Sequence, residues 1–206
     1  YVLINKQEEK IEDWGVFPWE RATDEGDGPQ ENIRRILEYI GEDPTREGLL
    51  KTPERVIKSY NELFSGYELD PADIMTTFEE TCDEMVILKD IEFCSMCEHH
   101  MLPFIGRAHI GYIPNGEIIG ISKLARLVEI YARRLQVQER LTEEITTAMD
   151  NYLRPKGSAC VIEAQHQCMT CRGVGKQHSK MITSSLTGAF RELPEVRAEF
   201  MSMIKG

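Results

Sequence analysis

The stretch that decides the fold is residues 84–113, which read EMVILKDIEFCSMCEHHMLPFIGRAHIGYI. Its two ends, Glu84 to Phe93 and Phe104 to Ile113, are short runs rich in Ile, Val and Phe, and the turn sequence Pro114-Asn115-Gly116 follows the second run. Such runs predict two strands that are neighbours in sequence. The segment between them, residues 94–103, contains two cysteines and two histidines. The stretch therefore predicts a strand pair whose connection carries metal-binding side chains.

Two helices and two further strands are predicted after this pair. Ser122 can cap a helix, and a second helix ends before Pro155 and Gly157. Their apolar stripes are Leu124, Leu127, Val128, Tyr131 and Leu135 in the first, and Leu141, Ile145, Ala148, Met149 and Tyr152 in the second. Ala159 to Cys168 and Lys180 to Leu186 read as strands, and a short helix follows from Pro194. The order strand-strand-helix-helix-strand-strand predicts an α+β domain with helices on one face of an antiparallel sheet.

The N-terminal part of the chain reads as a tail followed by a helix pair. Residues 1–30 are acidic, lack helical or strand periodicity and predict a flexible tail. From Glu31, apolar residues recur at helical spacing up to Ile40, and Gly41 is a typical helix stop. Thr52-Pro53 predicts the start of a second helix that ends at Gly66. We therefore predict a tail over 1–30, a helical segment over 31–82 and the α+β domain over 83–206.

Composition limits the classes of function. The 206 residues carry a net charge of −11, from 24 Lys and Arg against 35 Asp and Glu. This balance argues against a nucleic-acid partner, because duplex binding depends on basic patches. No run of about 18 apolar residues is present, so we expect neither a membrane span nor a signal peptide. The expected location is the cytoplasm, where cysteines are thiols or metal ligands before they are disulfides.

The cysteines and histidines suggest a metal site with two alternative ligand sets. Cys97 and His100 lie three apart, which on a single turn brings their Cβ atoms to about 5–6 Å. Strand alternation from Ala159 would bring His166 and Cys168 out on one face. Cys97, His100 and Cys168 would leave a fourth position open, as in a catalytic zinc site, and His99 would then point elsewhere. The alternative is a closed structural site formed by the two C-x-x-C pairs, Cys94, Cys97, Cys168 and Cys171, in a module that mediates protein interaction.

Several segments together resemble the GTP cyclohydrolase I family, in order and at family spacing from about Glu31 to the C-terminus. They are Cys97-Glu98-His99-His100, Gly120-Ile121-Ser122-Lys123-Leu124-Ala125-Arg126, Gln136-Val137-Gln138-Glu139-Arg140-Leu141-Thr142, His166-Gln167-Cys168 with Arg172-Gly173, and Ser184-Ser185-Leu186. The resemblance implies the tunnelling fold and a homodecamer with active sites at subunit interfaces. It also implies conversion of GTP and water to formate and 7,8-dihydroneopterin triphosphate, which begins folate or tetrahydrobiopterin synthesis. Such an enzyme can be allosteric and can take a regulatory protein as a partner.

The resemblance also implies roles for individual residues. Zinc would be held by Cys97, His100 and Cys168, whereas Cys94 and Cys171 lie outside the family signature. His166 resembles the family's acid for guanine N7, His99 a second proton-transfer group, and Ser122 a serine near the ribose. His109 and His178 match no catalytic motif, and we expect structural roles for them.

Substrate binding is expected from one acidic position and a set of cations. Glu139, with Gln138 beside it, resembles the family residue that recognises the guanine base. A glutamate at this position also suits the first turn of a helix. The triphosphate would be met by Lys123, Arg126 and Arg172, and by Arg55 and Lys58 of a neighbouring subunit. A rival enzyme is another tunnelling-fold member that acts on purines or pterins, and the Cys97-Glu98-His99-His100 motif with Gln138-Glu139 argues against it.

Overall fold

The computed structural model of the protein describes residues 28–205. The chain forms two compact units, one up to Tyr60 and one from Asn61. Its helices and strands are α1 (Pro29–Tyr39), α2 (Thr52–Leu63), β1 (Thr77–Glu79), β2 (Val86–Cys97), β3 (Pro103–Ile113), β4 (Glu117–Ile119), α3 (Ile121–Ala132), β5 (Leu135–Gln136), α4 (Gln138–Tyr152), β6 (Gly157–His166), α5 (Gln167–Thr170), β7 (Met181–Leu186), α6 (Gly188–Glu192) and α7 (Pro194–Ile204). No helix in this part of the chain is long and apolar enough to cross a bilayer.

The first unit contains the predicted helix α1 and most of α2. Leu37 is the buried residue of α1, and Gly41 beyond its end has φ +88°, the left-handed conformation that glycine adopts without strain. α2 begins at Thr52 with Pro53 in its first turn, as predicted. The predicted tail over 1–30 lies almost wholly outside the described residues, and the boundary at residues 82 and 83 stays a prediction.

Four long strands of the second unit form the sheet that the sequence predicts. β2, β3, β6 and β7 are joined in that order, and each neighbouring pair is antiparallel. The two-residue strand β5 adds to the outer edge of β2 in the parallel direction, so the sheet is mixed rather than purely antiparallel. β1 and β4 form a separate small antiparallel pair. The predicted order of strand-strand-helix-helix-strand-strand is present, with short elements added to it.

Helices cover both faces of this sheet. Leu124 and Leu127 of α3 and Leu141 and Ile145 of α4 are fully buried in the larger core, which includes Cys160 and Ile162 of β6 among its residues. The intervening residues of β6, Ala159 and Val161, pack instead with Phe190 of α6 and Phe200 of α7. The expectation of helices on one face therefore holds for α3 and α4 but is wrong for the C-terminal helices. Alternate residues of β6 point to opposite faces, and because both sets are apolar, both faces need cover.

Two local expectations were also wrong. Ser122 does not cap α3, because Gly120 is the N-cap and makes no side-chain bond. Cys168 does not continue the strand, because β6 ends at His166 and the chain turns into the short helix α5. Ser122 and Cys168, two candidate site residues, therefore lie in local structure that differs from the prediction.

Candidate active site

The connection between β2 and β3 is a tight turn that presents the Cys97-Glu98-His99-His100 motif. The carbonyl of Cys97 accepts from the backbone N–H of Met101 at 2.8 Å, and Met101 has φ +51°. The Nδ1 atoms of His99 and His100 both lie 3.9 Å from the sulfur of Cys97. The predicted proximity of Cys97 and His100 is confirmed, but His99 does not point away from that sulfur.

Cys168 completes a group of three potential metal ligands. The ligand atoms of Cys97, His100 and Cys168 lie within 4.8 Å of one another, with Cys97 buried, Cys168 half-buried and His100 exposed. Among residues 28–205 this is the group of such side chains close enough to share an ion, and it contains neither Cys94 nor Cys171. The thiol of Cys171 instead donates to the carbonyl of Gln167 at 2.8 Å. The geometry thus favours the open three-ligand set over the four-cysteine set.

The chemistry of the donor set fits a divalent cation. Burial and the adjacent sulfur of Cys97 raise the pKa of the Cys168 thiol. A cation between the sulfurs would reverse this effect, because it stabilises both thiolates. Two thiolates and one imidazole are ligands that zinc accepts, and three protein ligands leave a position for water or substrate.

His166 lies at the end of β6 and is held on two sides. Its ring stacks on Phe104, the residue opposite it on β3, with 4.6 Å between the ring centroids and an interplanar angle of 0°. Its Nε2 atom lies 2.8 Å from the Oε1 atom of Gln138. Burial lowers the pKa of His166, and the negative charge of Glu139 opposes that shift.

Glu139 stands exposed at the second position of α4 and lines a cleft of about 550 Å³. The other residues of this cleft are Glu143, Thr183, Ser184, Ser185, Leu186, Arg191 and Arg197. Two arginines in the cleft, Arg191 and Arg197, were missed by sequence reasoning. They follow the Ser184-Ser185-Leu186 motif in α6 and α7, and only their charge marked them in the sequence.

The predicted phosphate contacts occupy different settings. Arg126 is exposed on α3, and Nζ of Lys123 donates to the carbonyl of Thr76 at 2.9 Å. Arg172 lies beside the metal group, with Nη1 3.4 Å from Nε2 of His100 and 3.5 Å from the carbonyl of Cys168. Ser122 is exposed in the first turn of α3. Arg55 and Lys58 are exposed on α2 in the first unit.

The two remaining histidines, His109 and His178, do not belong to the group of potential metal ligands. Nδ1 of His109 accepts from the backbone N–H of Asp90, which has φ +59° at the irregularity of β2, so His109 has the structural role that we predicted. His178 is exposed in the segment between α5 and β7.

A model of the family described as GTP cyclohydrolase I matches residues 29–205. The chain belongs to the GTP cyclohydrolase I family. Three relatives named GTP cyclohydrolase 1 support the assignment. The protein of Wolinella succinogenes is 56% identical over 178 residues, which cover 85% of this chain and 95% of the relative. The protein of Sinorhizobium fredii is 52% identical over 86% of this chain and 88% of the relative. The protein of Chlorobium phaeovibrioides is 54% identical over 85% of this chain and 79% of the relative.

The GTP cyclohydrolase I family match spans every motif on which the resemblance was based. The structure brings three of those segments into one region through direct contacts. Cys97 and His100 come from the β2–β3 turn, Cys168 and Arg172 follow β6, and Gln138 of α4 reaches His166. Among solved structures, the archaeosine synthase QueF-Like in the apo form overlaps 50% of this chain and 93% of its own, at a TM-score of 0.42 and 17% identity.

Proposed function

We propose that the protein is a zinc-dependent GTP cyclohydrolase I that converts GTP and water to formate and 7,8-dihydroneopterin triphosphate, the first step of pterin synthesis. The observation that carries the proposal is the open group of Cys97, His100 and Cys168 in a chain of this family. Relatives at 52–56% identity carry the enzyme's name. The end product, folate or tetrahydrobiopterin, lies downstream of this reaction.

The three ligands would hold zinc, which would supply a hydroxide nucleophile near neutral pH. Cys97 and Cys168 give the site its preference for a soft cation, and His100 completes the set. Arg172, 3.4 Å from His100, adds a positive charge at the rim of the group. An anionic substrate is therefore favoured beside it.

His166 is the residue that we propose as the proton donor to N7 of guanine. Imidazole titrates near neutral pH, and its ring here is fixed by Phe104 and Gln138. We propose that His99, exposed in the ligand turn, handles protons at the ribose, and that Ser122 lies near the same sugar. These two assignments rest on the family motif.

Recognition of the base is proposed for Glu139. A carboxylate can accept from both N1–H and the exocyclic amine of guanine, a pair of donors that adenine lacks on that edge. The exposed position of Glu139 in the cleft is compatible with this role. The side chain of Gln138 is engaged within the protein, so a contact between Gln138 and substrate would have to use its backbone.

The triphosphate needs several cations, because it carries about four negative charges. We propose Lys123, Arg126 and Arg172 of one subunit for this role, together with Arg55 and Lys58 of a neighbouring subunit. Arg126 and Lys123 lie in the first turns of α3, where backbone N–H groups also favour anions.

We further propose the tunnelling fold and a homodecamer with active sites between subunits. Large apolar side chains on α1 and at its C-cap support assembly, since Ile36, Tyr39 and Ile40 are each more than half exposed in the single chain. The cytosolic location and a regulatory protein partner stay predictions.

One experiment tests the proposed function. Purified protein is incubated with GTP, with and without a zinc chelator, and formate release and dihydropterin fluorescence are recorded beside zinc content. We expect both products in equal amounts, about one zinc per chain, and loss of turnover after chelation. Zinc binding without any turnover would contradict the proposal and favour the structural module.

A further inference from the structure

Gln138 is a polar residue whose side chain is enclosed by the protein. It is the first residue of α4 and is only 1% exposed. Its Nε2 atom lies 3.0 Å from the carbonyl oxygen of Ile162, 3.1 Å from that of Met181 and 3.1 Å from Oγ1 of Thr183. The amide therefore links α4 to both β6 and β7.

These contacts fix which way the amide points. Backbone carbonyls only accept hydrogen bonds, so the NH₂ group of Gln138 must face Ile162 and Met181. Its oxygen then faces His166, at 2.8 Å from Nε2. An amide oxygen cannot donate, and Nε2 of His166 must carry the proton. The neutral ring is thereby held as the Nε2–H tautomer, and Nδ1 is the nitrogen left to exchange a proton with a ligand.

Two threonines close a ring of hydrogen bonds behind Gln138. The hydroxyl of Thr142, a residue that is 1% exposed, donates to the backbone carbonyl of Gln138 at 2.6 Å. Oγ1 of Thr183 lies 2.6 Å from Oγ1 of Thr142. Because the Thr142 proton is already used, Thr183 must donate to Thr142, and a lone pair of Thr183 is left for the amide of Gln138. The two N–H donors of the Gln138 amide are shared among three acceptors, the carbonyls of Ile162 and Met181 and Oγ1 of Thr183.

We propose that Gln138 is a positioning residue that sets the orientation and tautomer of His166, and that Thr142 and Thr183 hold Gln138 in place. Phe104 fixes the plane of the imidazole, and Gln138 fixes its rotation within that plane. A buried polar network of this kind specifies one arrangement only while each member is satisfied. The proposal rests on the proposed function, since it concerns the histidine that would protonate the substrate.

The chain contains a matched control for this network. One turn further along α4, Thr146 is also 1% exposed and lies 2.6 Å from Oγ of Ser185 on β7. Thr142→Val and Thr146→Val each delete one buried hydroxyl and one bridge between α4 and β7. Only Thr142 contacts Gln138 and Thr183. A purely structural role would give the two variants the same behaviour.

The test combines a spectroscopic signature with kinetics on the zinc-loaded protein. Long-range ¹H–¹⁵N spectra of the histidine rings, recorded at about pH 8 where imidazole is neutral, report the tautomer of His166 without any turnover. We expect the Nε2–H form in the wild type and in Thr146→Val, and a mixture of tautomers in Gln138→Leu and Thr142→Val. For Gln138→Leu we expect kcat to fall by at least about tenfold, part of the 10²–10⁴-fold of general acid catalysis, with zinc per chain and KM within a few-fold of wild type.

The outcomes separate this inference from the proposed function. An Nδ1–H tautomer in the wild type would overturn it, as would an unchanged kcat in Gln138→Leu, or equal losses in Thr142→Val and Thr146→Val. If the wild type releases no formate from GTP, the proposed function and the catalytic meaning of the network fall together. The tautomer spectra would still decide whether Gln138 fixes the tautomer of the His166 ring.

Discussion

Replacing Cys168 and Cys171 in turn distinguishes the two possible metal sites within one helical turn. Both thiols belong to the segment that follows β6, three residues apart, so a serine at either position perturbs the same backbone. The sulfur of Cys168 lies within 4.8 Å of the ligand atoms of Cys97 and His100. That of Cys171 is exposed and bonded to the carbonyl of Gln167.

The expected difference in zinc affinity is large. Loss of a partner that only supports a ligand costs about 10–100-fold in metal affinity, and loss of a ligand itself should exceed that range. For Cys168→Ser, which reduces three ligands to two, we expect a loss of more than about 100-fold, or roughly 2.7 kcal/mol. For Cys171→Ser we expect an affinity within about threefold of wild type, and a free energy of unfolding within about 0.5 kcal/mol, because the position is exposed.

The assay is competition for zinc against a chromophoric chelator, with metal content measured on the same samples. Far-UV circular dichroism and urea unfolding of each apo protein show whether the fold is retained. Cys94→Ser serves as a second control, since Cys94 is exposed on β2 and outside the group. If Cys171→Ser and Cys94→Ser lose zinc as readily as Cys168→Ser, the closed four-cysteine site is the true one.

Three further changes test base recognition, phosphate binding and packing. Glu139→Gln replaces an acceptor by a donor facing a guanine N–H, which should weaken GTP binding by about 1–3 kcal/mol while zinc stays bound; equal GTP affinity by calorimetry would remove Glu139 from the base site. Neutralising Lys123, Arg126 or Arg172 should weaken GTP far more than guanosine, whereas Arg107→Ser, which removes an exposed cation paired with Asp90, should not. An undiminished preference for GTP would refute the residue concerned. Gly106→Ala would place a Cβ atom 2.1 Å from the carbonyl oxygen of Glu163, and urea unfolding should register a loss of at least about 1–3 kcal/mol; a wild-type midpoint would show that β3 and β6 can separate there.

The sequence predicts the elements that have a strong periodic pattern. Most of the predicted stripe residues of α3 and α4 are buried, because Leu124, Leu127, Leu141 and Ile145 repeat at helical spacing and face the core. Two are not as predicted, since Leu135 lies beyond the end of α3 in β5 and Tyr152 is 39% exposed. β5 has only two residues, Leu135 and Gln136, and forms because Met96 and Cys97 offer a free edge. A segment of that length has no period that a sequence can reveal.

In the candidate site, too, features that depend on local sequence were predicted, whereas features that depend on long-range packing were not. The approach of Cys97 and His100 follows from a spacing of three on one turn and was predicted. The start of α3 was not predicted correctly, because Gly120 and Ser122 are both residue types that suit an N-cap. The residue types alone do not decide between the two positions. The bond between Gln138 and His166 joins residues 28 positions apart. It depends on how α4 packs on β6, which no local pattern encodes.

The small strand β5 has a consequence for the dimensions of the site. Gln136 pairs with Cys97, and its carbonyl accepts from the N–H of Glu98 at 3.0 Å. Glu139 follows three residues later, so Cys97, a proposed metal ligand, and the carboxylate proposed to recognise the base are connected through one pair of backbone partners in the sheet. The distance between them is fixed by backbone rather than by two independent loops. A ligand that contacts both Cys97 and Glu139 therefore meets two groups whose separation is already fixed. Little conformational entropy of the protein is lost when such a ligand binds.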